Sequence, residues 1–374
     1  MSGNCAVSPE FAVAIVGSGC AGLTLGHHLT ATGKGPIAII DPSASRPDHT
    51  WGYWDDGSKD LALARTLTEA TWRKWAIIGS SRKVLLEGDK FIYRAISSSR
   101  FENHLRASMP TARHLRGRVT STTYQNFSYL LETNKGDYIR ATRVFDSRTP
   151  SIPKGALLQH FVGWRIRTKK SKFDPNTAIL MDFRVSQNLG IHFMYLLPFD
   201  SNNALIESTV ISSQVLPVSW YNHQIKQYLS AFYSITDLNI IKRERGIIPL
   251  ARLYSDDAFG IPIGMRAGAL RASSGYAFSQ IQKQITEMVY GDKLEVAKPG
   301  CDATEAWMDQ VLLRVLRTAP KRAPELFMNI AKAIDGDSFA RFMRGHGDLN
   351  GRMRIMSKLP AGLFLKAALS RGRL

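Results

Sequence analysis

The apolar positions near the N-terminus predict a strand, a glycine turn, a helix and a second strand. Residues 11–16, FAVAIV, form the short apolar run of a buried strand, and GSGCAG and the helical stretch LTLGHHLTATG follow it directly. A second apolar run, PIAII, ends at Asp41. Gly17, Gly19 and Gly22 have GxGxxG spacing, and Asp41 lies nineteen residues after Gly22. This combination is the dinucleotide-binding fingerprint in its required structural context.

Each part of this fingerprint has a physical role. Gly17 permits the tight turn, Gly19 lets backbone amides approach a pyrophosphate, and Gly22 lets the helix pack closely on the strand. The helix N-terminus favours the phosphate charge, and Asp41 can accept hydrogen bonds from a ribose. These residues predict a bound nucleotide cofactor, and the alternative is a glycine-rich turn that binds nothing.

The middle of the chain alternates between apolar and polar positions in the way that strands do. From HFVGWRIRT to LIESTVI, including GIHFMYLLPF, strand-forming residues predict a mostly antiparallel sheet. A helical pattern follows at WYNHQIKQYLSAFYSI, and ERGIIPL indicates another strand. GIPIGMRAGALRASSGYAFSQIQKQITEMV then predicts a strand, a glycine-rich loop and a helix. The late glycine loop is expected to return to the N-terminal nucleotide fold.

These elements predict an α/β (α+β) fold with a discontinuous Rossmann-like domain. We assign residues 1–145 and 240–300 to the nucleotide-binding domain and 146–239 to an inserted β-sheet substrate domain. Residues 301–374 are expected to form a C-terminal helical segment, interrupted by prolines and glycines. This layout is typical of two-domain flavoproteins.

Composition excludes several protein classes. The chain has 374 residues, of which 44% are hydrophobic and 21% are charged, so a disordered chain or a repeat array is not indicated. The cysteines Cys5, Cys20 and Cys301 are far apart and lack metal-ligand spacing, so neither a disulfide framework nor a metal site is expected. There is no apolar run long enough to span a bilayer and no signal-peptide pattern. We expect a reducing, cytoplasmic location.

The net charge of +18 makes an anionic partner plausible. Basic residues are densest near the C-terminus, where they mix with apolar ones. The basic ones are Arg352, Arg354, Lys358, Lys366, Arg371 and Arg373, and the apolar ones are Leu363, Phe364, Leu365, Ala367, Ala368 and Leu369. Such a helix can lie on an anionic membrane surface, or it can be an ordinary solvated helix packed on the core. Nucleic acid is not expected, because no binding motif accompanies the charge.

Two acids lie within apolar strand patterns. In ALIEST, Glu207 shares one strand face with Leu205, Thr209 and Ile211. Glu207 is therefore either a solvated carboxylate on an edge strand or a buried acid that stays protonated. Asp182, in LMDFR, could assist proton transfer or orient Glu207, or it could simply pair with a neighbouring arginine.

Several segments together resemble the bacterial, flavin-dependent lycopene β-cyclases. They occur in family order over nearly the whole chain: AIVGSGCAG with IIDP, DHTW, VFDSR, QHFVGWRIRT, FDPNTAILMDFRV, FMYLLPF with ALIEST, GIIPL, GMRAGALRASSGYAF and LLRVLRTAPKRAPELF. The resemblance implies FAD held in reduced form, NAD(P)H as the likely reductant, and lycopene as an apolar polyene substrate. It also implies an isomerisation without net redox change, in which each linear end closes to a ring.

The resemblance also assigns roles to residues. Glu207 falls on the acidic position of the family's strand motif, which has two consecutive glutamates in plant relatives, whereas this chain has Ser208 at the second position. Gly264 and Gly268 are expected to bring the backbone close to the flavin, and His49 could line the flavin or be a structural loop residue. Candidate aromatic walls, each of which could equally be core packing, are Trp51, Tyr53, Trp54, Phe183, Tyr195 and Tyr276.

Three other functions remain compatible with the sequence. The same fold and acid could serve another polyprenyl or prenylated aromatic substrate. A flavin monooxygenase or desaturase would predict net oxidation. A nucleotide-binding or membrane-surface protein without catalysis would predict that Glu207 is dispensable.

Overall fold

Strands dominate the first 250 residues of the chain and helices dominate the remainder. The computed structural model describes residues 10–253, 257–291, 294 and 297–370. The strands are β1 (Phe11–Val16), β2 (Ile37–Asp41), β3 (Thr50–Asp55), β4 (Ala70–Trp72), β5 (Lys74–Ile78), β6 (Lys83–Glu87), β7 (Ile92–Ser97), β8 (Arg113–Arg116), β9 (Val119–Gln125), β10 (Ser128–Thr133), β11 (Tyr138–Asp146), β12 (Leu157–Arg167), β13 (Thr177–Asp182), β14 (Ile191–Pro198), β15 (Asn203–Ser212), β16 (Asn239–Leu250) and β17 (Ile261–Pro262). The helices are α1 (Cys20–Ala31), α2 (Ala62–Thr66), α3 (Ser98–Ala107), α4 (Val218–Tyr233), α5 (Phe278–Tyr290), α6 (Ala303–Thr318), α7 (Ala323–Ala333), α8 (Gly336–Arg344), α9 (Leu349–Lys358) and α10 (Ala361–Leu369).

The first sheet has the order β8-β2-β1-β11-β10-β9 in the described part of the chain, with β17 beside β11. Strands β8, β2, β1 and β11 are parallel, and all five residues of β2 are buried, as expected when helices and other elements cover both faces. Helices α1 and α5 contact one another on one face. The prediction of a Rossmann-like fold, to which the late glycine loop returns, is confirmed by this topology.

The second sheet has the order β16-β12-β15-β14-β13-β5-β6 among the described strands. Its neighbours are antiparallel except for β13 and β5, which are parallel, so the predicted mostly antiparallel sheet is confirmed. One face packs on α4 through a core that includes Trp164, Ile206 and Tyr228. The other face packs on the C-terminal helices through a core that includes Leu205 and Leu313.

The domain boundaries differ from the prediction at two places. Strands β5 and β6, which we assigned to the nucleotide-binding domain, form one edge of the second sheet. Strand β16, also assigned to that domain, forms the opposite edge beside β12. Local periodicity identifies a strand but carries no information about which sheet it joins, because strand pairing is a long-range contact.

A small sheet and the helical C-terminus complete the structure. Strands β3, β7 and β4 pair in the order β3-β7-β4 within the described residues. The helical C-terminal segment is confirmed, and α8 ends at Gly345, whose φ of 84° favours glycine. Among the residues described, no helix combines the length and the apolar composition needed to cross a membrane. Cys20 and Cys301 are free thiols, and Cys5, Arg371 and Arg373 lie outside the described residues.

Candidate active site

The turn after β1 packs closely against its neighbours because its glycines lack side chains. Gly17 has φ = 100°, a conformation that favours glycine, and a Cβ on Gly22 would overlap the carbonyl oxygen of Gly17. Gly264 has φ = 65°, and its added Cβ would lie 2.6 Å from the Cβ of Ala21 in α1. The late glycine loop therefore closes against the N-terminal turn of α1.

Asp41 and two arginines lie beside this turn. Asp41 Oδ2 accepts hydrogen bonds from the Ser18 amide at 2.8 Å and from Arg46 at 2.6 Å, and Oδ1 accepts one from the Ser43 amide at 2.8 Å. Burial alone would raise the pKa of Asp41, but these donors lower it. Arg106 donates to the Ser18 carbonyl at 3.3 Å. Two guanidinium groups, which our sequence analysis missed, thus lie where a pyrophosphate would need counter-charge.

His49 contacts the second sheet, and Gly268 lies at the end of a short helix in the late glycine loop. His49 Nε2 lies 3.0 Å from the carbonyl oxygen of Arg245, so its ring links the start of β3 to β16 in the second sheet. Gly268 ends a short 3₁₀ helix with φ = 77°, and an added Cβ would be in ordinary contact with Pro299 at 3.5 Å. Gly268 therefore supplies a left-handed conformation, whereas Gly264 supplies the close approach to α1.

Two glutamates from different strands meet across a glycine in the second sheet. In the sheet register, Gly163 of β12 lies opposite Glu207 of β15 on one side and opposite Glu244 of β16 on the other. A Cβ added to Gly163 would lie 2.9 Å from Cγ of Glu207 and 3.1 Å from Cγ of Glu244. The two residues are 7% and 5% exposed, respectively. Glu207 therefore lies on an interior strand and is buried, which excludes the solvated edge-strand interpretation.

The two carboxyl groups have different partners. Glu244 Oε2 accepts hydrogen bonds from the amide and hydroxyl of Thr50 at 3.0 and 3.1 Å, and Lys242 Nζ lies 3.2 Å away. Within the described residues, no group that always carries a proton donates to the buried Glu244 Oε1. Burial, and then the charge of Glu244, raise the pKa of Glu207 well above its usual range, against a smaller opposing effect of Lys242. Glu207 can therefore hold a proton that an exposed glutamate would lose.

Aromatic side chains cover Glu207 on the same face. Tyr195 lies directly opposite Glu207 in the register of β14 and β15. The hydroxyl of Tyr93 lies 2.8 Å from that of Tyr195 and 3.1 Å from that of Tyr276. The ring of Trp54 lies 4.8 Å from Tyr93 and 4.9 Å from Tyr276, measured between centroids. Burial raises the pKa of all three phenols well above the usual range, so the site offers neutral, electron-rich π faces to a cation.

Asp182 does not join this site, so the expectation that it assists or orients Glu207 is wrong. Register places Asp182 and Ser208 on the same face of the sheet, and consecutive residues of a strand point to opposite faces. Asp182 accepts two hydrogen bonds from Arg184, at 3.0 and 2.6 Å, and one from Tyr228 of α4 at 2.7 Å. Its carboxylate is fully paired on the side of the sheet away from Glu207.

Three other aromatic candidates pack elsewhere. Trp51 and Tyr53 contact Phe278 at centroid distances of 5.4 and 4.9 Å, in the core of the nucleotide-binding domain. Phe183 stacks on Phe327 of α7 at 5.9 Å. Of the six aromatic candidates, the structure therefore brings Trp54, Tyr195 and Tyr276 to the site.

A large cavity lies farther along the same face of the second sheet. Its volume is about 960 Å³, and its mostly apolar lining includes Leu250, Met265, Leu270 and Leu313. Glu207 does not line it. Leu250 is six residues beyond Glu244 on β16, which corresponds to about 20 Å along a strand. The cavity adjoins the late glycine loop and α6 rather than the carboxyl pair.

Sequence reasoning missed Glu244 and Gly163, although each left a signal. A glycine within a strand pattern, as in HFVGWRIRT, often marks the close approach of another group. Glu244 opens the segment ERGIIPL, from which we predicted only a strand. The pairing of β12 with both β15 and β16, which brings the two acids together, could not be read from local pattern.

Comparisons with known protein families and proteins agree on one family. The sequence model of the family described as "Lycopene cyclase protein" matches residues 12–369. A lycopene β-cyclase of Paracoccus sp. is 32% identical over 45% of this chain and 44% of its own length. A lycopene β-cyclase of Pantoea ananas is 24% identical over 95% of this chain and 96% of its own. The capsanthin/capsorubin synthase of Citrus sinensis is 24% identical over 71% of this chain and 57% of its own, so this match and the Paracoccus match span only about half of those relatives.

Solved structures share the fold. A geranylgeranyl bacteriochlorophyll reductase-like protein of Thermoplasma acidophilum has a TM-score of 0.57 at 12% identity, over 96% of this chain and 95% of its own. A salicylate hydroxylase in complex with its substrate has a TM-score of 0.56 at 13% identity, over 96% and 98%. A flavin-dependent brominase has a TM-score of 0.55 at 13% identity, over 90% and 93%. At these sequence identities, the similarity to the solved structures shows a shared fold and nothing further.

Proposed function

The chain belongs to the lycopene cyclase family, and from this premise we propose that it is a lycopene β-cyclase, an isomerase that closes the linear ends of lycopene to rings. The observation that carries the proposal is the buried Glu207, whose pKa is raised by burial and by Glu244, beside the aromatic face of Tyr93, Tyr195 and Tyr276. An acid in such a place can deliver a proton to an apolar substrate at neutral pH.

The reaction balances without an oxidant or a reductant. The proton of Glu207 forms a bond to a terminal double bond and leaves a tertiary carbocation, and the electron pair of a neighbouring double bond then attacks this cation to form the ring bond. Loss of one proton from the new ring restores a double bond. One proton enters and one leaves for each ring, so the product is an isomer of the substrate.

The protein stabilises the cation by excluding water and by presenting electron-rich surfaces. The phenol rings of Tyr195 and Tyr276 and the indole of Trp54 can face positive charge, and none of these side chains needs to ionise to do so. The carboxylate that remains after proton transfer adds negative charge beside the cation. Buried walls also prevent water from capturing the cation before the ring closes.

The residues at the glycine turn fit FAD. An added Cβ on Gly17, Gly19 or Gly22 would collide with neighbouring protein atoms, so glycines are needed for this tight turn at the N-terminus of α1, where backbone amides favour a phosphate. Arg46 and Arg106 supply positive charge beside the turn. When bound in reduced form, FAD would supply negative charge and π surface for the cation, which accounts for a redox cofactor in a reaction without net oxidation. NAD(P)H is the proposed source of the initial reduction and would not be consumed in step with product.

The C-terminal helices support a peripheral location on the inner face of the cell membrane, where an apolar polyene dissolves. Leu349, Met353 and Met356 are exposed on α9 at positions i, i+4 and i+7, and Leu365 and Leu369 are exposed on α10. Exposed Arg354, Lys358 and Lys366 accompany them, in keeping with an anionic lipid surface.

Flotation with vesicles tests this location. The wild-type protein is expected to float with vesicles that contain phosphatidylglycerol, and a Met353→Glu, Met356→Glu double variant is expected to stay in the dense fractions. A matched control, Leu85→Glu, changes an exposed leucine on β6 instead. Equal flotation of the double variant and wild type would count against membrane contact through α9.

Conversion of lycopene tests the proposed activity. The flavin-reduced protein is incubated with lycopene in detergent or liposomes, and the pigments are identified by chromatography and mass spectrometry. We expect ring-closed products of unchanged mass with wild type and none with Glu207→Gln, at equal flavin content. Added oxygen or lost hydrogens would instead support a monooxygenase or desaturase, and turnover of a prenylated aromatic but not of lycopene would support the alternative substrate.

A further inference from the structure

The distance between two carboxyl groups in the second sheet is set by a residue that has no side chain. Three adjacent strands place Glu207, Gly163 and Glu244 in one row across the sheet. Directly opposite side chains in a sheet lie close, but two strands apart they normally remain separated by the side chain between them. At Gly163 that side chain is missing, and the Cγ atoms of both glutamates lean into the space that a Cβ would occupy.

One oxygen of this pair lacks a donor. In the part of the chain that the structure describes, the buried Glu244 Oε1 accepts no hydrogen bond from a permanent donor. Oε2 of the same group accepts hydrogen bonds from Thr50 and lies beside the ammonium group of Lys242. A buried acceptor without a donor is destabilising. A proton on Glu207 satisfies Oε1, because the neutral carboxyl group then has an O–H to donate across the gap.

Charges behind Glu244 keep the negative charge on its side of the pair. Lys242 Nζ lies 3.2 Å from Glu244 Oε2 and 2.7 Å from Asp48 Oδ2. Asp48 in turn accepts hydrogen bonds from Ser97 and from the amide of Ser99. Lys242 is thus in direct contact with the Glu244 carboxylate and stabilises its negative charge, so the proton of the pair belongs on Glu207.

We propose that Glu244 is the positioning residue of the reaction: the two carboxyl groups share one proton across Gly163, with Glu207 as its donor and Glu244 as its acceptor. This inference rests on the proposed function, in which Glu207 is the acid. When Glu207 gives its proton to the alkene, two carboxylates are left side by side. The proton lost from the ring then returns to this pair, so the pair holds one proton before and after each turnover.

The other titratable and charged groups near the pair come from several elements. They are Lys242 on β16, Tyr93 on β7, Tyr195 on β14, Tyr276 after the late glycine loop, and Asp48 and His49 before β3. The tyrosines stay neutral because burial raises their pKa, so they do not titrate in the range of interest. Asp48 carries a lowered pKa, because the lysine and the hydrogen bonds from Ser99 and Ser97 outweigh its burial.

Infrared titration of the protein without substrate tests the inference. The C=O stretch of the protonated Glu207 is assigned as the band that is missing in Glu207→Gln, and its intensity is followed as pH rises. In Glu244→Gln the like charge is removed, so we expect the midpoint to fall by about 1–3 pH units, the range that a neighbouring charge imposes. Glu325→Gln, which removes a carboxylate from an exposed pair on α7, is the matched control and should leave the midpoint unchanged.

A second variant is expected to shift the titration midpoint of Glu207 in the opposite direction. Lys242→Gln removes the cation that opposes protonation of Glu207, so its midpoint is expected to rise. It also keeps the test decisive if Glu244→Gln does not fold. Unchanged titration midpoints in the folded variants would overturn the proposal that the two carboxyl groups share one proton.

Turnover separates a positioning role from a structural one. The alkaline limb of the pH–rate profile should move to lower pH in Glu244→Gln, and Glu244→Asp, which keeps the charge, should restore most of the activity. A loss of the same factor at every pH would refute the positioning role. Failure of wild type to cyclise lycopene would refute the proposed function alone, since the infrared titration needs no substrate.

Discussion

Gly163→Ala should separate the two carboxyl groups without removing either of them. The added Cβ would lie 2.9 Å from Cγ of Glu207 and 3.1 Å from Cγ of Glu244. To reach an ordinary contact of 3.4 Å, the two groups must retreat by about 0.5 and 0.3 Å in opposite directions. The gap between them therefore widens by about 0.8 Å if each moves straight back.

This widening is enough to break a hydrogen bond between the carboxyl groups. A charge-assisted O–H···O bond has a length of about 2.5–2.7 Å, and stretching it by about 0.8 Å takes it beyond the usual limit near 3.0 Å. Loss of the bond costs about 1–3 kcal/mol, which corresponds to a downward shift of about 1–2 pH units in the titration of Glu207. Crowding in the buried sheet should also lower the free energy of unfolding by about 1–3 kcal/mol.

The assay is a pH–rate profile of lycopene cyclisation, together with thermal or denaturant unfolding. Gly163→Ala should lose activity at neutral and alkaline pH and recover part of it at lower pH. Gly79→Ala is the control, since its Cβ would meet Met328 Cγ at 3.3 Å at the end of β5, away from the acids. That variant should keep the wild-type profile. A wild-type pH profile in Gly163→Ala would refute the proposed proton-sharing pair.

The remaining predictions concern pH-dependent stability, the second buried acid and the glycine turn. Burial and the paired glutamate raise the pKa of Glu207 above its ordinary 4.5, so the folded state keeps a proton that the unfolded state releases. Stability from this group is thus lost as pH rises from about 4.5 towards the folded pKa, by up to about 1.4 kcal/mol per pH unit, and Glu207→Gln should remove that slope in urea unfolding. Asp182→Asn weakens the contacts to Arg184 and Tyr228, so we expect about 1–3 kcal/mol less stability with turnover of the folded protein retained; lost turnover at unchanged stability would contradict this. Gly19→Val should remove the flavin absorbance of the purified protein while its circular dichroism stays native, and full flavin content would exclude the turn as the phosphate site.

Local pattern predicts the N-terminal half of the site well, for physical reasons. The run from β1 through Gly22 to Asp41 is contiguous, so its periodicities and spacing specify strand, turn, helix and strand without any long-range contact. The alternation in β12, β14 and β15 likewise predicts a mostly antiparallel sheet. Glu207 could be placed on a face with aliphatic neighbours, but only the family resemblance favoured it as an acid.

The second half of the site depends on strand pairing, which the sequence does not display. Glu244 meets Glu207 only because β16 and β15 both pair with β12 in a register that brings them to Gly163. Strand pairing also decides the position of Asp182. An irregularity in β13 between Ile179 and Asp182 puts Asp182 on the same face of the sheet as Ser208, away from Glu207. Ser208 occupies the position where the family resemblance implies a second glutamate. The second acid beside Glu207 is contributed by a different strand, β16.

Cyclisation in deuterium oxide tests most directly whether Glu207 delivers a proton in a reaction without net oxidation. The carboxyl pair exchanges its proton with solvent between ring closures, so a proton returned from the previous ring is replaced and Glu207 transfers a deuteron to the terminal double bond. The proton that leaves the ring comes from the substrate. The product should carry one deuterium for each ring formed and be otherwise isomeric with lycopene, and Glu207→Gln should form none of it. Ring-closed product without deuterium, or a product with added oxygen or fewer hydrogens, would contradict the proposed chemistry.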